Sequence, residues 1–315
     1  METAKLQSKE QPGNATVAYE SKYQLNERKN NETLRVLTES DWDFWKHNGY
    51  IIIKNAVPQE NIEATAQLIW DFEEKDPHHP ETWYAEARRE IRMKELTNSG
   101  MVEIYQHQLL WNNRQHPRVY DAFVDIWGLE KLWVTIDRAN LNFPVRPDFV
   151  FKGFIHWDID TSLNPRPVNV QGVLALSDTD DDTGGFQCIP ELYRTLDEWI
   201  KTQPADRDPF KPDTSGLEIV KVNMQKGDLL IFNSLLAHGI RPNVSNRPRI
   251  AQYISMSPAE EDNQELVNWR IHSWKNQLAP EGYAFPGDPR EWEKNNSAPA
   301  VLTELGEKLL GLKKW

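Results

Sequence analysis

The sequence predicts a mainly β fold, a jelly-roll core buttressed by α-helices from both ends of the chain. Three observations predict it. Between Lys131 and Pro258, short apolar runs alternate with turn-forming residues. Ahead of Lys131, apolar residues recur at helical spacing. Beyond Pro258 the chain is mixed and again largely helical. Many short strands with Gly/Pro turns favour a closed or double-sheet architecture.

The elements follow in order. Residues 1–33 are rich in Gln, Asn, Lys and Glu and read as a disordered tail. Thr38 and Ser40 are good N-cap residues for a short helix through Trp42, Phe44 and Trp45. Tyr50-Ile51-Ile52-Ile53 is a β-branched run with strand character. Pro58 opens a second helix, Gln59 to Glu74, with Ile62, Ala66, Ile69 and Phe72 along one side. The stretch from His78 to His107 is polar and carries no readable chemistry, and another helix starts at Pro117. Strands are expected at Leu132–Ile136, Val168–Ser177, Gly185–Ile189, Leu217–Val222, Asp228–Phe232 and Ile250–Met256. Turns are expected at Asn164-Pro165, Thr183-Gly184-Gly185, Lys226-Gly227-Asp228 and Pro242-Asn243. Apolar residues on both faces of Val170–Ala175 mark a central strand, and Thr195–Thr202 reads as a helix inserted in a loop. Residues 34–315 thus read as a single domain, its jelly roll spanning about 131–258 and its helical extension 259–315. Trp269, Trp274 and Trp292 are the expected anchors of that extension.

Composition narrows the function. A net charge of -12 disfavours nucleic acid or an anionic membrane as partner. The one cysteine, Cys188, cannot form an internal disulfide or a cysteine-based zinc site. The polar N-terminus has no signal-peptide core, and no stretch approaches the roughly 20 apolar residues of a membrane span. A cytoplasmic protein acting on a small molecule is the expectation; the oligomeric state is left open.

The chemistry-bearing residues begin with His156-Trp157-Asp158. In a strand, residues i and i+2 project from one face, so His156 and Asp158 can both reach one metal. Two imidazoles and a carboxylate form the facial set of non-haem iron(II) sites. His238, after the apolar run Leu229–Phe232, is the candidate third ligand, at a strand mouth before the turn Gly239–Asn243. Arg249, eleven residues on and in a hairpin relation to His238, offers a bidentate guanidinium for a carboxylate. Arg241 and Arg247 compete for that role but sit in the turn, where they would face water. Asp197, Glu198 and Asp180-Asp181-Asp182 read as a solvated helix face and turn.

Taken together, His156-Trp157-Asp158, Gly184-Gly185-Phe186-Gln187-Cys188-Ile189-Pro190, Lys226-Gly227-Asp228-Leu229-Leu230, His238 and Arg249 resemble the phytanoyl-CoA dioxygenase family. Phe44-Trp45-Lys46-His47-Asn48-Gly49-Tyr50-Ile51-Ile52 resembles its opening helix and strand. The likeness covers about residues 38–258. It implies a double-stranded β-helix, with iron(II) on His156, Asp158 and His238, 2-oxoglutarate as cosubstrate on Arg249, and O2 as oxidant. Two departures stand out. After Pro190 the chain reads Glu191-Leu192-Tyr193-Arg194 rather than glycine-serine-histidine, and Ile240 replaces a small hydroxyl residue two positions after the distal histidine. Gln171 is therefore the candidate second contact to the cosubstrate.

The presence of Asp158 favours hydroxylation, desaturation or oxidative demethylation or dealkylation over halogenation. The loops Asp160–Arg166 and Arg194–Ser215, with the helical ends, are expected to line the substrate pocket. A small polar or amino-acid-derived secondary metabolite is the expected substrate, a mycosporine-like amino acid being one example. An acyl-CoA hydroxylase of the same family, a cupin-like metalloenzyme without 2-oxoglutarate, and a non-catalytic metabolite-binding protein are the alternatives.

Overall fold

The structure is a computed structural model that describes residues 25, 33–84, 99–148, 150–281 and 285–315. Helix α1 (Glu39–Asn48) starts at Thr38, whose Oγ1 accepts from Asp41 N while the Asp41 carboxylate accepts from Thr38 N. It stops at Gly49, held at φ +73° with the Tyr193 ring 2.9 Å from where a Cβ would stand. Strand β1 (Tyr50–Ile53) and helix α2 (Gln59–Glu73) follow, and α2 buries Ile62, Ile69 and Phe72. The next described elements are β2 (Met101–Val102), α3 (Gln108–Arg114), α4 (Pro117–Trp127), β3 (Leu132–Val134) and β4 (Ala139–Asn142).

The β core continues with β5 (Val170–Ala175), β6 (Thr183–Cys188), helix α5 (Pro190–Thr202), β7 (Val220–Lys221), β8 (Leu229–Asn233), β9 (His238–Asn243), β10 (Arg249–Tyr253) and β11 (Met256–Pro258). A six-stranded sheet has the order β1-β8-β5-β10-β4-β2; a second runs β7-β6-β9, and β11 pairs with β3. Every pairing is antiparallel.

The two faces of β5 explain its apolar run. Val173 and Ala175 enter a cluster with Phe186, Cys188, Leu230 and Phe232, between the two main sheets. Val170 and Leu174 pack with Ile69, Phe123 and Ile231, beneath the helices. Each buried Val, Leu, Ile or Phe among them contributes about 1.5–3 kcal/mol relative to exposure. Gly172 permits close packing on this face, because a Cβ there would stand 2.2 Å from Ile254 O of the neighbouring strand segment and 3.0 Å from the Phe123 ring of α4.

The C-terminal helices α6 (Gln264–Asn276), α7 (Trp292–Asn296) and α8 (Glu304–Leu310) dock through polar anchors as well as tryptophans. Buried Arg270 donates to Val134 O, Leu309 O and Leu310 O. The Glu293 carboxylate accepts from Tyr105 N and Gln106 N, both at 2.7 Å. Trp269, Trp274 and Trp292 are partly buried against the main core.

Several boundaries differ from expectation, each for a non-local reason. The expected tail lies outside the described residues except for Leu25 and Thr33. The segment Gly239–Asn243, expected as a turn, is strand β9, because its backbone pairs with Thr183–Cys188. Thr183-Gly184-Gly185 begins β6 rather than a turn, with both glycines at positive φ. Residues 139–142 form a further strand outside the expected set, held between β10 and β2. Helix α5 starts five residues before the expected Thr195. His238 and Arg249 are not hairpin partners: β9 and β10 belong to different sheets.

Candidate metal centre

His156 lies in an extended segment rather than a regular strand, fixed by one antiparallel bridge to His238. His156 N donates to His238 O at 2.8 Å, and His238 N donates to His156 O at 3.0 Å. Gly239 permits this approach: a Cβ there would stand 1.8 Å from Phe154 O. Trp157 turns the opposite way, as its position between the two polar residues requires. It is buried against Trp199, and its indole N–H donates to Leu235 O.

His156, Asp158 and His238 converge, each with a ligand atom within 4.8 Å of the others. His156 Nε2 stands 3.0 Å from Asp158 Oδ1, and His238 Nε2 stands 3.3 Å from Asp158 Oδ2. Burial alone would raise the Asp158 carboxyl, but the two imidazoles hold it well below the usual carboxylate range. His238 Nδ1 lies 2.9 Å from Leu236 O, a contact that directs Nε2 inward. His156 Nδ1 is buried and has no hydrogen-bond partner among the described residues. Aromatic rings fix both imidazoles: Phe186 stacks on His238, Phe232 lies 4.4 Å from it, and Phe154 lies 5.0 Å from His156. Two neutral nitrogens and one carboxylate suit a divalent iron and leave part of its coordination open.

The cavity beside these donors measures about 130 Å³, roughly tenfold more than one water requires. Arg249 and Gln171 both line it. Arg249 is buried on β10, and its Nη1 donates to Asn140 Oδ1 at 2.8 Å. Gln171 Nε2 donates to Asp158 Oδ2 at 2.5 Å, so the side chain braces the carboxylate of the triad while also lining the cavity. Ile240 also lines the cavity, while Glu191–Arg194 fall on helix α5.

The two competing arginines separate. Arg241 is buried rather than water-facing and donates to Phe186 O, Asp180 O and Asn223 Oδ1. Burial, with Arg249 nearby, lowers its pKa to about 10. Arg247 is exposed and pairs with Asp180.

The lining of the cavity differs from the expectation. Its described lining includes no residue of 160–166 or 194–215; instead Ser99, Met101, Asp137, Arg138 and Phe285 contribute. Residues 99–103 belong to a stretch whose polarity had suggested no chemistry. Alternation along β4 was the available signal, since Arg138, Asn140 and Asn142 fall at i, i+2 and i+4.

With this geometry in hand, likeness to known proteins gains meaning. A Dictyostelium discoideum protein that bears the phytanoyl-CoA dioxygenase name is 24% identical, the match covering 75% of this chain and 79% of that protein. Ava biosynthesis cluster protein O of Aspergillus versicolor is 23% identical, over 76% of this chain and 84% of its own length. The epimerase SnoN, crystallised with Fe3+, alpha-ketoglutarate and nogalamycin RO, shares the fold at 13% identity, with a TM-score of 0.51. That likeness covers 70% of this chain and 83% of SnoN. The phytanoyl-CoA dioxygenase family model matches residues 45–251, a span that holds the His-Asp-His cluster and Arg249. By that match the chain belongs to the phytanoyl-CoA dioxygenase (PhyH) family of non-haem dioxygenases.

Proposed function

We propose that His156, Asp158 and His238 hold iron(II) in this dioxygenase, that Arg249 grips the far carboxylate of 2-oxoglutarate, and that a small polar or amino-acid-derived metabolite is oxidised. The observation that carries the reading is the convergence of the three donors in a cavity that a buried arginine also lines. SnoN's bound iron and alpha-ketoglutarate, within the same fold, support this choice of metal and cosubstrate. Aspergillus Ava protein O, named for a biosynthesis cluster, supports a metabolite as substrate.

With O2 as the oxidant and 2-oxoglutarate as the co-reductant, bound iron would supply the oxidising power to break a C–H bond. The chain's own residues do the rest. His156, His238 and Asp158 fix the metal's position, and Gln171 holds one Asp158 oxygen so that the carboxylate keeps its orientation. Arg249 offers a planar pair of donors, kept in place by Asn140. Phe154, Phe186 and Phe232 pack against the imidazoles and fix the planes of the two rings. The most economical reading of residues 34–315 is one catalytic domain.

The test is anaerobic loading of the full chain with iron(II) and 2-oxoglutarate, followed in the visible charge-transfer region of a chelated 2-oxo acid. Wild type should show the band, His238→Ala should lose it, and Arg249→Ala should need far more 2-oxoglutarate. Iron binding without any band would instead favour a cupin-like metalloenzyme that does not use 2-oxoglutarate.

A further inference from the structure

Strand β10 turns one face toward the cavity. Arg249, Ala251 and Tyr253 fall at i, i+2 and i+4 along it, so their side chains share that face. Ala251 enters the cluster between the two main sheets, Tyr253 packs against the same cluster, and Arg249 and Tyr253 both line the cavity. The two residues stand at different levels. Arg249 pairs with Asn142 at the start of β10, whereas Tyr253 pairs with Val173 at its end, two residues along β5 from Gln171. Gln171 marks the level of the metal centre, since it braces Asp158 and pairs with Phe232, whose ring lies 4.4 Å from that of His238. Along the strand, Tyr253 is therefore nearer the triad than Arg249.

The Tyr253 backbone is anchored, its N–H donating to Arg138 O. Its hydroxyl, by contrast, has no hydrogen-bond partner among the described residues. Ser255, a second hydroxyl of the lining, already accepts from Gly172 N. The lining around the triad is otherwise rich in apolar groups, with Val173, Phe186, Phe232 and Ile240. A 2-oxo acid that chelates a metal through its keto oxygen and one carboxylate oxygen leaves the other carboxylate oxygen uncoordinated. Beside apolar walls that anionic oxygen needs a donor, and Ile240 brings no hydroxyl to it.

We infer that Tyr253 is a second cosubstrate contact, its hydroxyl donating to the metal-proximal carboxylate of 2-oxoglutarate while Arg249 takes the far one. This rests on the iron and 2-oxoglutarate reading above. The order of the two donors along one strand face matches the order of the two carboxylates in the ligand. A phenol is a neutral donor, so it adds hold without adding charge beside the triad. The packing of its ring against the cluster keeps that donor in place.

The test uses the full chain loaded anaerobically with Mn(II). Calorimetry measures 2-oxoglutarate binding, and relaxation of the pyruvate methyl protons by the bound metal measures pyruvate binding. Pyruvate keeps the 2-oxo acid end and lacks the far carboxylate. Tyr253→Phe, which removes only the hydroxyl, should weaken 2-oxoglutarate and pyruvate alike, each by about tenfold. Arg249→Gln should weaken 2-oxoglutarate and leave pyruvate within about twofold. Mn(II) affinity without cosubstrate should be unchanged in Tyr253→Phe. Undiminished 2-oxoglutarate affinity in Tyr253→Phe would overturn the inference and place the phenol on the substrate side of the cavity. A loss for 2-oxoglutarate with none for pyruvate would overturn it too, since the hydroxyl would then serve the far carboxylate. A fall in Mn(II) affinity itself would make Tyr253 a support of the triad instead. Failure of wild type to bind 2-oxoglutarate would remove the underlying reading itself.

Discussion

Gln171 Nε2 donates to Asp158 Oδ2 at 2.5 Å, and that oxygen is the one facing His238 Nε2. A glutamine on the central strand thus holds the carboxylate that completes the candidate metal centre. Replacing it by alanine should lower Mn(II) or iron(II) affinity by about 10–100-fold, the usual cost of removing a group that orients a metal ligand. Calorimetry would measure it. At saturating metal, 2-oxoglutarate affinity should stay within about threefold; a much larger loss would restore Gln171 to direct cosubstrate contact.

Arg249 and Asn140 form a second such pair. Arg249→Gln should weaken 2-oxoglutarate by roughly a hundredfold and leave metal affinity unchanged, because a charge-assisted pair is lost. Asn140→Ala, which frees the guanidinium to move and removes the Asn140 Nδ2 donation to Ser99 O, should cost about tenfold. Equal losses in the two variants would mean that Asn140 itself touches the ligand.

Gly239 tests the bridge between the histidines. A Cβ at this position would collide with Phe154 O, so Gly239→Ala must push the His156 segment away from β9. Overpacking of this kind typically costs 1–3 kcal/mol, roughly. Thermal unfolding should register that loss, and metal affinity should fall with it. Unchanged metal binding would show that the triad does not depend on this close approach.

His107 gives the fold a pH dependence away from the metal site. Its Nδ1 accepts from Leu109 N at the start of α3, and burial lowers its pKa below the ordinary 6.5. Folding therefore favours the neutral ring. Its contribution is present above the unfolded-state value and is lost as pH falls through the depressed folded value. Protonation at Nδ1 also removes the cap, worth about 1 kcal/mol. His107→Asn keeps a capping oxygen without titrating, so its stability should fall less than that of wild type between about pH 7 and pH 5. Burial and Arg118 lower His116 in the same direction, and that background is common to both chains. Parallel stability–pH curves would exclude His107 as the source.

Metal itself should stabilise the fold. Free Mn(II) at a hundredfold excess over its dissociation constant should add about 2.7 kcal/mol. The increment should vanish in His238→Ala. A gain that survives the substitution would place the binding elsewhere.

The sequence by itself determined the β core with its flanking helices, and it singled out His156, Asp158, His238 and Arg249. Local chemistry marked the elements, and the ordered combination of motifs with its family resemblance singled out the residues. Strand periodicity puts His156 and Asp158 on the same side, β-branched runs bounded by glycine and proline mark strands, and the family's ordered motifs supply the order. Tertiary structure alone decided what each residue meets. Gln171 and Asp158 are thirteen residues apart, and the amide finds the carboxylate because β5 passes beneath the bridged His156 segment. Arg241, Arg247 and Arg249 look interchangeable in sequence, yet β9 buries the first among carbonyls, a turn leaves the second in water, and β10 brings the third into the cavity. Arg138 meets Phe285 and Glu103 only in the folded chain, since both reach it from distant parts of the sequence. Sequence patterns record which face a residue presents; long-range strand pairing and helix docking determine what lies opposite it.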